Sequence, residues 1–188
     1  MVEIVAVIAA ILYLVLAIRQ NILCWLFAAI STAIYIQLFL DAKLYMESVL
    51  NFFYLAMAGY GWYSWRSGRT NSKEKPVVTW ALQKHFKAIA AITLIGLING
   101  AILAQTTDAA FPFIDSLTTW FAIWATFLVA QKVLENWWYW LVIDLVSIAV
   151  YWSRDLQLTS VLFAIYVIMI PFGLWQWTRS MREQGALQ

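Results

Sequence analysis

The charged residues of this chain fall in short clusters between apolar stretches of roughly the length that crosses a lipid bilayer. Of the 188 residues, 64% are hydrophobic and only 12% are charged, whereas a soluble domain carries about 25% charged residues. Lipid can solvate such a chain only as helices or as a closed β-barrel, because the backbone must satisfy its own hydrogen bonds there. The alternating polar and apolar segments of a barrel are absent, so we predict an all-α membrane protein.

Seven apolar stretches approach the roughly 17–25 residues that a helix needs to span a membrane. They predict transmembrane helices at Val2–Ile18, Ile22–Leu40, Glu47–Trp65, Ala88–Leu103, Ser116–Val133, Trp137–Trp152 and Leu156–Trp177. The first stretch lacks the basic region and the small-residue cleavage site of a signal peptide. We therefore expect it to be retained as a helix.

The Lys and Arg residues divide unequally between the two sides of the membrane. With seven spans, one side holds only Lys43 and Arg154. The other side holds the remaining basic residues, Arg19, Arg66, Arg69, Lys73, Lys75, Lys84, Lys87, Lys132, Arg179 and Arg182. The positive-inside rule then predicts a bacterial inner-membrane protein with its N-terminus outside and its C-terminus in the cytoplasm. The basic loop 66–87 is expected to be cytoplasmic, as a topology signal beside anionic lipid.

The single cysteine and the single histidine indicate neither a disulfide nor a metal site. Cys24 has no second cysteine to pair with. His85 lies in the predicted basic loop, where we expect it to be solvated, with no Cys or second His near enough to share a metal. The sequence also shows no nucleophile–base pair in the membrane and no phosphate-binding glycine loop. We therefore expect no enzyme, no metal and no cofactor.

The third and seventh predicted helices resemble each other at one constant spacing along the chain, which we call the repeat offset. This offset pairs Leu44/Leu156, Ser48/Ser160, Val49/Val161, Leu50/Leu162, Tyr54/Tyr166, Gly61/Gly173 and Trp65/Trp177. The second and sixth helices also open alike, with Asn21-x-x-x-Trp25 and Asn136-x-x-x-Trp140. An even number of spans separates the equivalents, so both repeats cross the membrane in the same direction, as in some transporters.

We therefore predict seven transmembrane helices arranged as two parallel three-helix repeats joined by a linker helix (3+1+3). The predicted boundaries are a first bundle at 1–65, the basic loop at 66–87, the linker helix at 88–103, a second bundle at 104–177 and a cytoplasmic tail at 178–188. The alternative is a chance similarity between two aromatic, apolar helices.

Asp144 is the residue that suits a lipid environment least. It lies in the middle of the sixth span, where an unpaired carboxylate is costly and is by default a functional candidate. Helical spacing puts it on one face with Trp137, Trp140, Ser147 and Tyr151. The alternative role for Asp144 is a structural hydrogen bond to a neighbouring helix.

Other polar and aromatic residues are predicted to line the same pocket: Asn51, Tyr54, Asp115, Thr119, Trp120, Asn136 and Tyr166. Aromatic faces stabilise cations by roughly 0.5–2 kcal/mol each, and amides and hydroxyls can orient a ligand. This set of groups suits a flat, positively charged heteroaromatic molecule, so we predict a transporter for such a ligand. A purely structural membrane protein would not need the carboxylate, and a channel would show charged rings or carbonyl filters.

The aromatic residues also have a simpler explanation. The chain has 12 Trp, and Trp commonly anchors helices at the membrane interface. Four are expected in such a belt at the cytoplasmic helix ends: Trp62, Trp65, Trp175 and Trp177. For every other Trp or Tyr, packing or anchoring remains the alternative to ligand contact. Asp115 and Glu47 are alternatively interfacial carboxylates.

Three segments closely resemble the PnuC family of vitamin transporters: Tyr60-Gly61-Trp62-Tyr63-x-Trp65, Phe111-Pro112-Phe113-Ile114-Asp115-Ser116 and Leu134-Glu135-Asn136-Trp137-x-x-Trp140. The resemblance extends from about Leu12 to Trp177. It implies a 3+1+3 fold related in shape to SWEET sugar transporters, and a homotrimer with one pathway per protomer. It also implies facilitated diffusion of an unphosphorylated vitamin, which a kinase then traps in the cytoplasm. The expected partners are this vitamin, the lipid bilayer and further copies of the chain, and no nucleic acid.

Two departures from the nicotinamide riboside branch of the family bear on the substrate. Members of that branch typically carry Asn at the position of Asp144 and Gln at the position of Asn51. Thiamine has a positively charged thiazolium ring and an amino group. This amino group can donate strong hydrogen bonds to a carboxylate. Nicotinamide riboside is also a cation, but its carboxamide and ribose suit amide partners. The resemblance thus favours thiamine, with nicotinamide riboside as the alternative.

Overall fold

The computed structural model describes residues 2–41, 45–68, 75–107, 110–153 and 157–185. Within these ranges the chain forms seven helices and no β-strand: α1 (Val2–Ile18), α2 (Cys24–Asp41), α3 (Tyr45–Ser67), α4 (Leu82–Thr106), α5 (Pro112–Ala130), α6 (Asn136–Ser153) and α7 (Gln157–Gly185). The predicted all-α class and the predicted number of helices are confirmed.

Two helices extend well beyond the predicted spans into polar sequence. Helix α4 begins at Leu82, so it contains His85 and the end of the predicted basic loop. Helix α7 continues past Trp177 to Gly185, and an ion pair at helical spacing joins Arg179 to Glu183 at 2.8 Å. Hydropathy marks where side chains leave lipid, whereas a helix ends only where its backbone hydrogen bonds end. The helices α4 and α7 are therefore longer than the membrane spans predicted within them, whose own limits stay a prediction.

Among the described residues, three helical segments are long and apolar enough, by length and composition, to cross a bilayer: Leu82–Thr106, Pro112–Ala130 and Ser160–Gln184. Two shorter apolar segments are Ile4–Ile18 and Cys24–Leu38. Large apolar side chains on α4 face outward, with Leu94, Ile98 and Ile102 between 55% and 61% exposed. An apolar outer surface of this kind suits lipid as the solvent. That all seven helices span the membrane stays a prediction.

Contacts divide the chain into two compact units. Unit 1 comprises Met1–Val78, Thr126–Leu134 and Phe172–Gln188, and unit 2 comprises Thr79–Ala125 and Glu135–Pro171. The predicted division into two three-helix bundles and a linker helix remains a prediction.

Three buried indole rings form the centre of unit 1. Trp25 on α2 packs edge-on against Trp65 on α3, with ring centroids 5.5 Å apart, and Trp65 contacts Trp177 on α7 at 6.4 Å. All three side chains are at most 3% exposed. The prediction that Trp65 and Trp177 lie in an interfacial belt is therefore wrong, because other helices cover both rings. Trp175, which is 61% exposed, does face outward.

Helix ends and hydrogen bonds recur along the chain at the repeat offset. The helix ends that share it are Ile18 and Ala130, Cys24 and Asn136, and Tyr45 and Gln157. The Ser48 hydroxyl donates to the carbonyl of Ile36 at 3.3 Å, and the Ser160 hydroxyl donates to the carbonyl of Ile148 at 3.1 Å. The same backbone geometry and the same side-chain bond thus occur in both halves of the sequence.

The register of the second and sixth helices differs from the predicted one. Matching Asn21 with Asn136 needs a spacing longer than the repeat offset that relates the helix ends. At the repeat offset, Trp25 corresponds to Trp137 and not to Trp140. A motif of one Asn and one Trp is too short to set the register of an aromatic helix.

Candidate functional site

Helix α6 separates a buried face from an exposed one. Its buried residues are Asn136, Trp137, Ile143, Asp144 and Ser147. Its large exposed hydrophobic residues, at 50–62%, are Trp138, Val142, Leu145 and Trp152. The period of an α-helix places these two sets on different sides. The structure therefore puts Trp137, Asp144 and Ser147 on one covered face, with Trp140 and Tyr151 half-buried.

Asp144 lies in the middle of α6 and is 3% exposed. Among the residues that the structure describes, no group hydrogen-bonds to its carboxylate or forms an ion pair with it. The alternative of a structural hydrogen bond to a neighbouring helix thus finds no support in these residues. A buried carboxylate without a partner is costly. Its position is explained if a ligand supplies the missing donor or positive charge.

An aromatic group in unit 2 lies one helical turn beyond Ser147. The ring of Tyr151 on α6 stacks on that of Phe163 on α7, with centroids 5.3 Å apart and an interplanar angle of 17°. Phe163 in turn meets Tyr166 edge-on at 5.7 Å. The structure therefore brings the predicted residues Tyr151 and Tyr166 into one group through Phe163, which the prediction of site residues did not include.

The predicted residues of α5 have local structural roles. Asp115 is half-buried in the first turn, where a carboxylate is favourable beside the positive end of the helix dipole. The hydroxyls of Thr118 and Thr119 donate to the carbonyl of Asp115 at 3.1 and 2.8 Å. Trp120 is half-buried. Contact of these residues with a ligand stays a prediction.

Two predicted site residues, Asn51 and Tyr54, belong to unit 1. Both are half-buried on α3, and the Tyr54 ring contacts that of Phe53 at 5.9 Å. That they share a binding site with Asp144 of unit 2 stays a prediction. The side chain of Glu47 lies outside the described residues, as do the basic residues Lys43, Arg69, Lys73 and Arg154.

His85 is a buried residue of α4, so the expectation of a solvated linker residue is wrong. It is 6% exposed. Its Nδ1 lies 3.0 Å from the hydroxyl of Tyr139, and its Nε2 lies 3.8 Å from a carboxylate oxygen of Glu135. The same oxygen accepts a hydrogen bond from the backbone N–H of Trp80 at 3.3 Å. His85 therefore connects α4 to the start of α6.

A signal for the burial of His85 was present in the sequence. The other buried residues of α4 are Ile92, Gly96 and Gly100, and this stripe of small and apolar positions continues back to His85 at helical spacing. In the described ranges, no group of three or more His, Cys, Asp or Glu residues could hold a metal ion.

Lys132 was counted among the cytoplasmic basic residues, yet it is only 1% exposed. Its ammonium donates to Oε1 of Gln20 at 3.1 Å and lies 4.6 Å from the centre of the Trp65 ring. Gln20 and Lys132 both have left-handed backbone angles, with φ of 56° and 54°. The repeat offset pairs these two positions, which are 112 residues apart, and this signal could have found them.

Lys75 ties the described part of the loop between α3 and α4 to unit 1. Its ammonium donates to the hydroxyl of Ser64 at 2.5 Å, and to the carbonyl of Ala130 and Oε1 of Gln131 at 3.2 Å each. Burial lowers the pKa of this ammonium below its ordinary value. The carbonyls at the end of a helix lack partners within the helix, so Lys75 satisfies one at the end of α5.

Comparisons with known proteins agree on one family. The model of the nicotinamide mononucleotide transporter family matches residues 1–179. The chain is 25% identical to the nicotinamide riboside transporter PnuC of Escherichia coli, over 98% of this chain and 88% of that relative. It is 28% identical to the riboflavin/roseoflavin transporter RibM of Streptomyces davaonensis, over 69% of this chain and 62% of the relative.

A solved structure has the same fold. It is described as the crystal structure of the vitamin B3 transporter PnuC. It superposes on this chain with a TM-score of 0.75, and the match covers 97% of this chain and 82% of the chain in that structure. The two sequences are 23% identical, so this likeness concerns the fold.

Proposed function

This chain belongs to the nicotinamide mononucleotide transporter family, and from that premise we propose that it carries nicotinamide riboside into the cell across the bacterial inner membrane. Membership of a transporter family confirms the prediction that the chain is a membrane transporter and not an enzyme. The substrate proposal is supported by similarity to a nicotinamide riboside transporter over 98% of the chain. The named relatives therefore favour nicotinamide riboside over thiamine, which the sequence had favoured.

Within the structure, the proposal is supported most by the buried carboxylate of Asp144. It is buried on the covered face of α6, with the aromatic group of Tyr151, Phe163 and Tyr166 in the same unit. Nicotinamide riboside carries a positive pyridinium ring. A carboxylate can balance that charge, and ring faces can stack on the pyridinium. Hydroxyls such as that of Ser147 suit the ribose.

Thiamine is the second candidate because Asp144 is a carboxylate and not an amide. An ionised carboxylate is an especially strong acceptor for an amino group that donates two hydrogen bonds, and the aminopyrimidine of thiamine supplies such a group. The same carboxylate is less useful for the carboxamide of nicotinamide riboside, which suits an amide partner. The two candidates are separated by competition binding on the purified protein.

The proposed transport is facilitated diffusion, and it predicts the behaviour of proteoliposomes that contain no ATP. Nicotinamide riboside should equilibrate down its gradient and exchange in both directions, because nothing in the vesicle phosphorylates it. The measurement is uptake of labelled substrate, with protein-free liposomes as the control and with thiamine and riboflavin as competitors. Accumulation of substrate driven by an imposed proton or sodium gradient would contradict facilitated diffusion. If labelled nicotinamide riboside is not taken up, and neither thiamine nor riboflavin is transported, the proposed transport activity is wrong.

The proposed architecture consists of two parallel repeats, α1–α3 and α5–α7, connected by α4. The shared helix ends and the paired bonds of Ser48 and Ser160 support it. The proposed homotrimer, with one pathway per protomer, rests on the family resemblance.

The proposed orientation puts the N-terminus outside and the C-terminus in the cytoplasm, and it predicts which exposed positions are accessible from outside. A cysteine at Asp41, at the exposed end of α2, should react with an impermeant maleimide added to intact cells. A cysteine at Thr79, exposed in the loop before α4, should react only after the cells are opened. The opposite pattern would overturn the orientation.

A further inference from the structure

Two tryptophan side chains of unit 1 link the two halves of the sequence in a reciprocal way. The indole N–H of Trp65, in the first half, donates to the carbonyl of Val129 in the second half at 3.2 Å. The indole N–H of Trp177, in the second half, donates to the carbonyl of Ala17 in the first half at 3.0 Å. The repeat offset relates both donors to each other and both acceptors to each other. Each half therefore donates an equivalent indole hydrogen bond to the other half.

A third link joins the halves between the two tryptophans. The ammonium of Lys132 donates to Oε1 of Gln20 at 3.1 Å and covers the ring of Trp65 at 4.6 Å. Trp65, Trp177, Lys132 and Gln20 are between 0% and 6% exposed. We call these four residues the clasp. The contact between Lys132 and Gln20, like the two indole hydrogen bonds, joins one half of the sequence to the other.

The clasp uses groups that are left over at the ends of two helices. Ala17 and Val129 are next to the last residues of α1 and α5, where helix carbonyls lack partners within the helix and carry partial negative charge. Each carbonyl accepts a turn N–H at 3.0 Å, from Gln20 and Lys132 respectively, in addition to the indole N–H. Both halves thus present the same acceptor at the same end.

The backbone at Gln20 and Lys132 indicates that their side chains are needed. Both residues have the left-handed conformation that commonly follows a helix and that glycine adopts most easily. Glycine would remove the strain at both turns. Instead, each turn carries a long side chain, and the two side chains bond to each other across the halves. Side chains retained against local backbone preference point to a function at this place.

We propose that the clasp is a gate of the transport pathway, at the end where α1 and α5 finish, and that it is closed in this structure. This inference rests on the proposed transport function, in which the two halves move against each other to open one end at a time. The hydrogen bonds of Trp65, Trp177 and Lys132 described above all cross from one half to the other, so opening this end must break all three together. Its closed form is held by two neutral indole hydrogen bonds and by the ammonium of Lys132 on Gln20 and the Trp65 ring, and water can replace these hydrogen bonds when the halves separate.

The chain contains a native reporter for this opening. Cys24 is its one cysteine, it is fully buried, and it is followed directly by Trp25, whose ring packs on Trp65. Separation of the halves at the clasp removes Trp177 and Lys132 of the second half from Trp65 and Gln20, and it uncovers the start of α2. The rate at which Cys24 reacts with a maleimide therefore reports how often the clasp opens.

The test is the alkylation rate of Cys24 in proteoliposomes that carry the full-length protein. Trp65→Phe and Trp177→Phe each keep an aromatic ring and remove one indole N–H, and each should raise the rate about tenfold, the factor expected for one lost hydrogen bond. Lys132→Met keeps the straight chain over Trp65, removes the ammonium and should act in the same direction. The matched control is Trp175→Phe, at an exposed position of the same helix end, which should leave the rate unchanged.

The side from which Cys24 reacts separates a gate from a packing defect. In the three clasp variants, an impermeant maleimide should label Cys24 from one face of the membrane only, and the variants should bind nicotinamide riboside as the wild type does. Wild-type rates in all three variants would overturn the proposal, as would labelling of Cys24 from both faces of the membrane. The labelling needs no substrate, so it stands apart from the uptake assay. If wild-type protein does not carry nicotinamide riboside, the proposed substrate fails and the labelling result still decides the gate.

Discussion

Asp144→Asn is expected to weaken binding of the cationic vitamin by about ten- to a hundredfold. The change keeps the shape of the side chain but removes its charge, and a lost charge-assisted hydrogen bond costs roughly 1.5–3 kcal/mol. The effect should be large because the carboxylate is buried, and water cannot replace it as a counter-charge. The measurement is the dissociation constant of nicotinamide riboside and of thiamine for wild type and variant, by calorimetry on the purified protein.

The ratio of the two affinities identifies the substrate chemistry. If the ligand is thiamine, the variant should lose most of its binding, because its amino group prefers the carboxylate. If the ligand is nicotinamide riboside, the loss of affinity should be smaller, because the carboxamide of this ligand can pair with the amide of the introduced Asn. Asp41→Asn is the matched control: Asp41 is exposed at the end of α2 and bonded to Gln37, so its replacement should leave both affinities unchanged. Equal binding by wild type and Asp144→Asn would remove Asp144 from the site.

Gly61→Ala is expected to destabilise the fold by about 1–3 kcal/mol, the range for an overpacked core. A Cβ at this position would lie within 2.5 Å of the Trp25 ring. The ring cannot move aside, because it is 2% exposed and packs against Tyr13 at 6.1 Å and Trp65 at 5.5 Å. The measurement is the thermal midpoint of the protein in detergent, which should fall by roughly 2–4 °C for each kcal/mol.

Gly59→Ala on the same helix is the matched control for this effect. A Cβ at Gly59 would meet nothing within 4 Å, and alanine is favoured over glycine in a helix by about 0.8–1 kcal/mol. The thermal midpoint should therefore stay the same or rise. If both variants shift the midpoint equally, the close approach of α2 and α3 at Gly61 does not limit stability.

The resemblance between Gly61 and Gly173 shows both the strength and the limit of the sequence pattern. The pattern found the repeat offset from the pairs Leu44/Leu156 to Trp65/Trp177, and helix ends recur at that offset in the structure. It did not reveal why Gly61 is needed. That reason is the ring of Trp25, which lies on another helix.

The burial of polar and basic residues was predicted best where it depends on the sequence of a single helix. Asp144 lies within an apolar stretch of α6, between Leu141-Val142-Ile143 and Leu145-Val146, so hydropathy alone puts it inside the predicted span. Lys132 and His85 stand beside polar residues near helix ends, and the sequence put His85 in a solvated loop and counted Lys132, at the end of the fifth predicted span, among the cytoplasmic basic residues. Their burial depends on Gln20 and Trp65 for Lys132 and on Tyr139 for His85, which are distant in the sequence.

The all-α class and the membrane setting of this protein follow from its sequence alone, because lipid allows only helices or a closed β-barrel and the alternating segments of a barrel are absent. The transporter family also follows, since its motifs lie in continuous segments. The tertiary structure alone decided which aromatic and basic residues are internal. Trp175 and Trp177 are close neighbours on one helix, yet one is 61% exposed and the other is fully buried. The difference arises because the indole of Trp177 meets the carbonyl of Ala17 at the end of α1, and no local pattern around Trp177 encodes that partner.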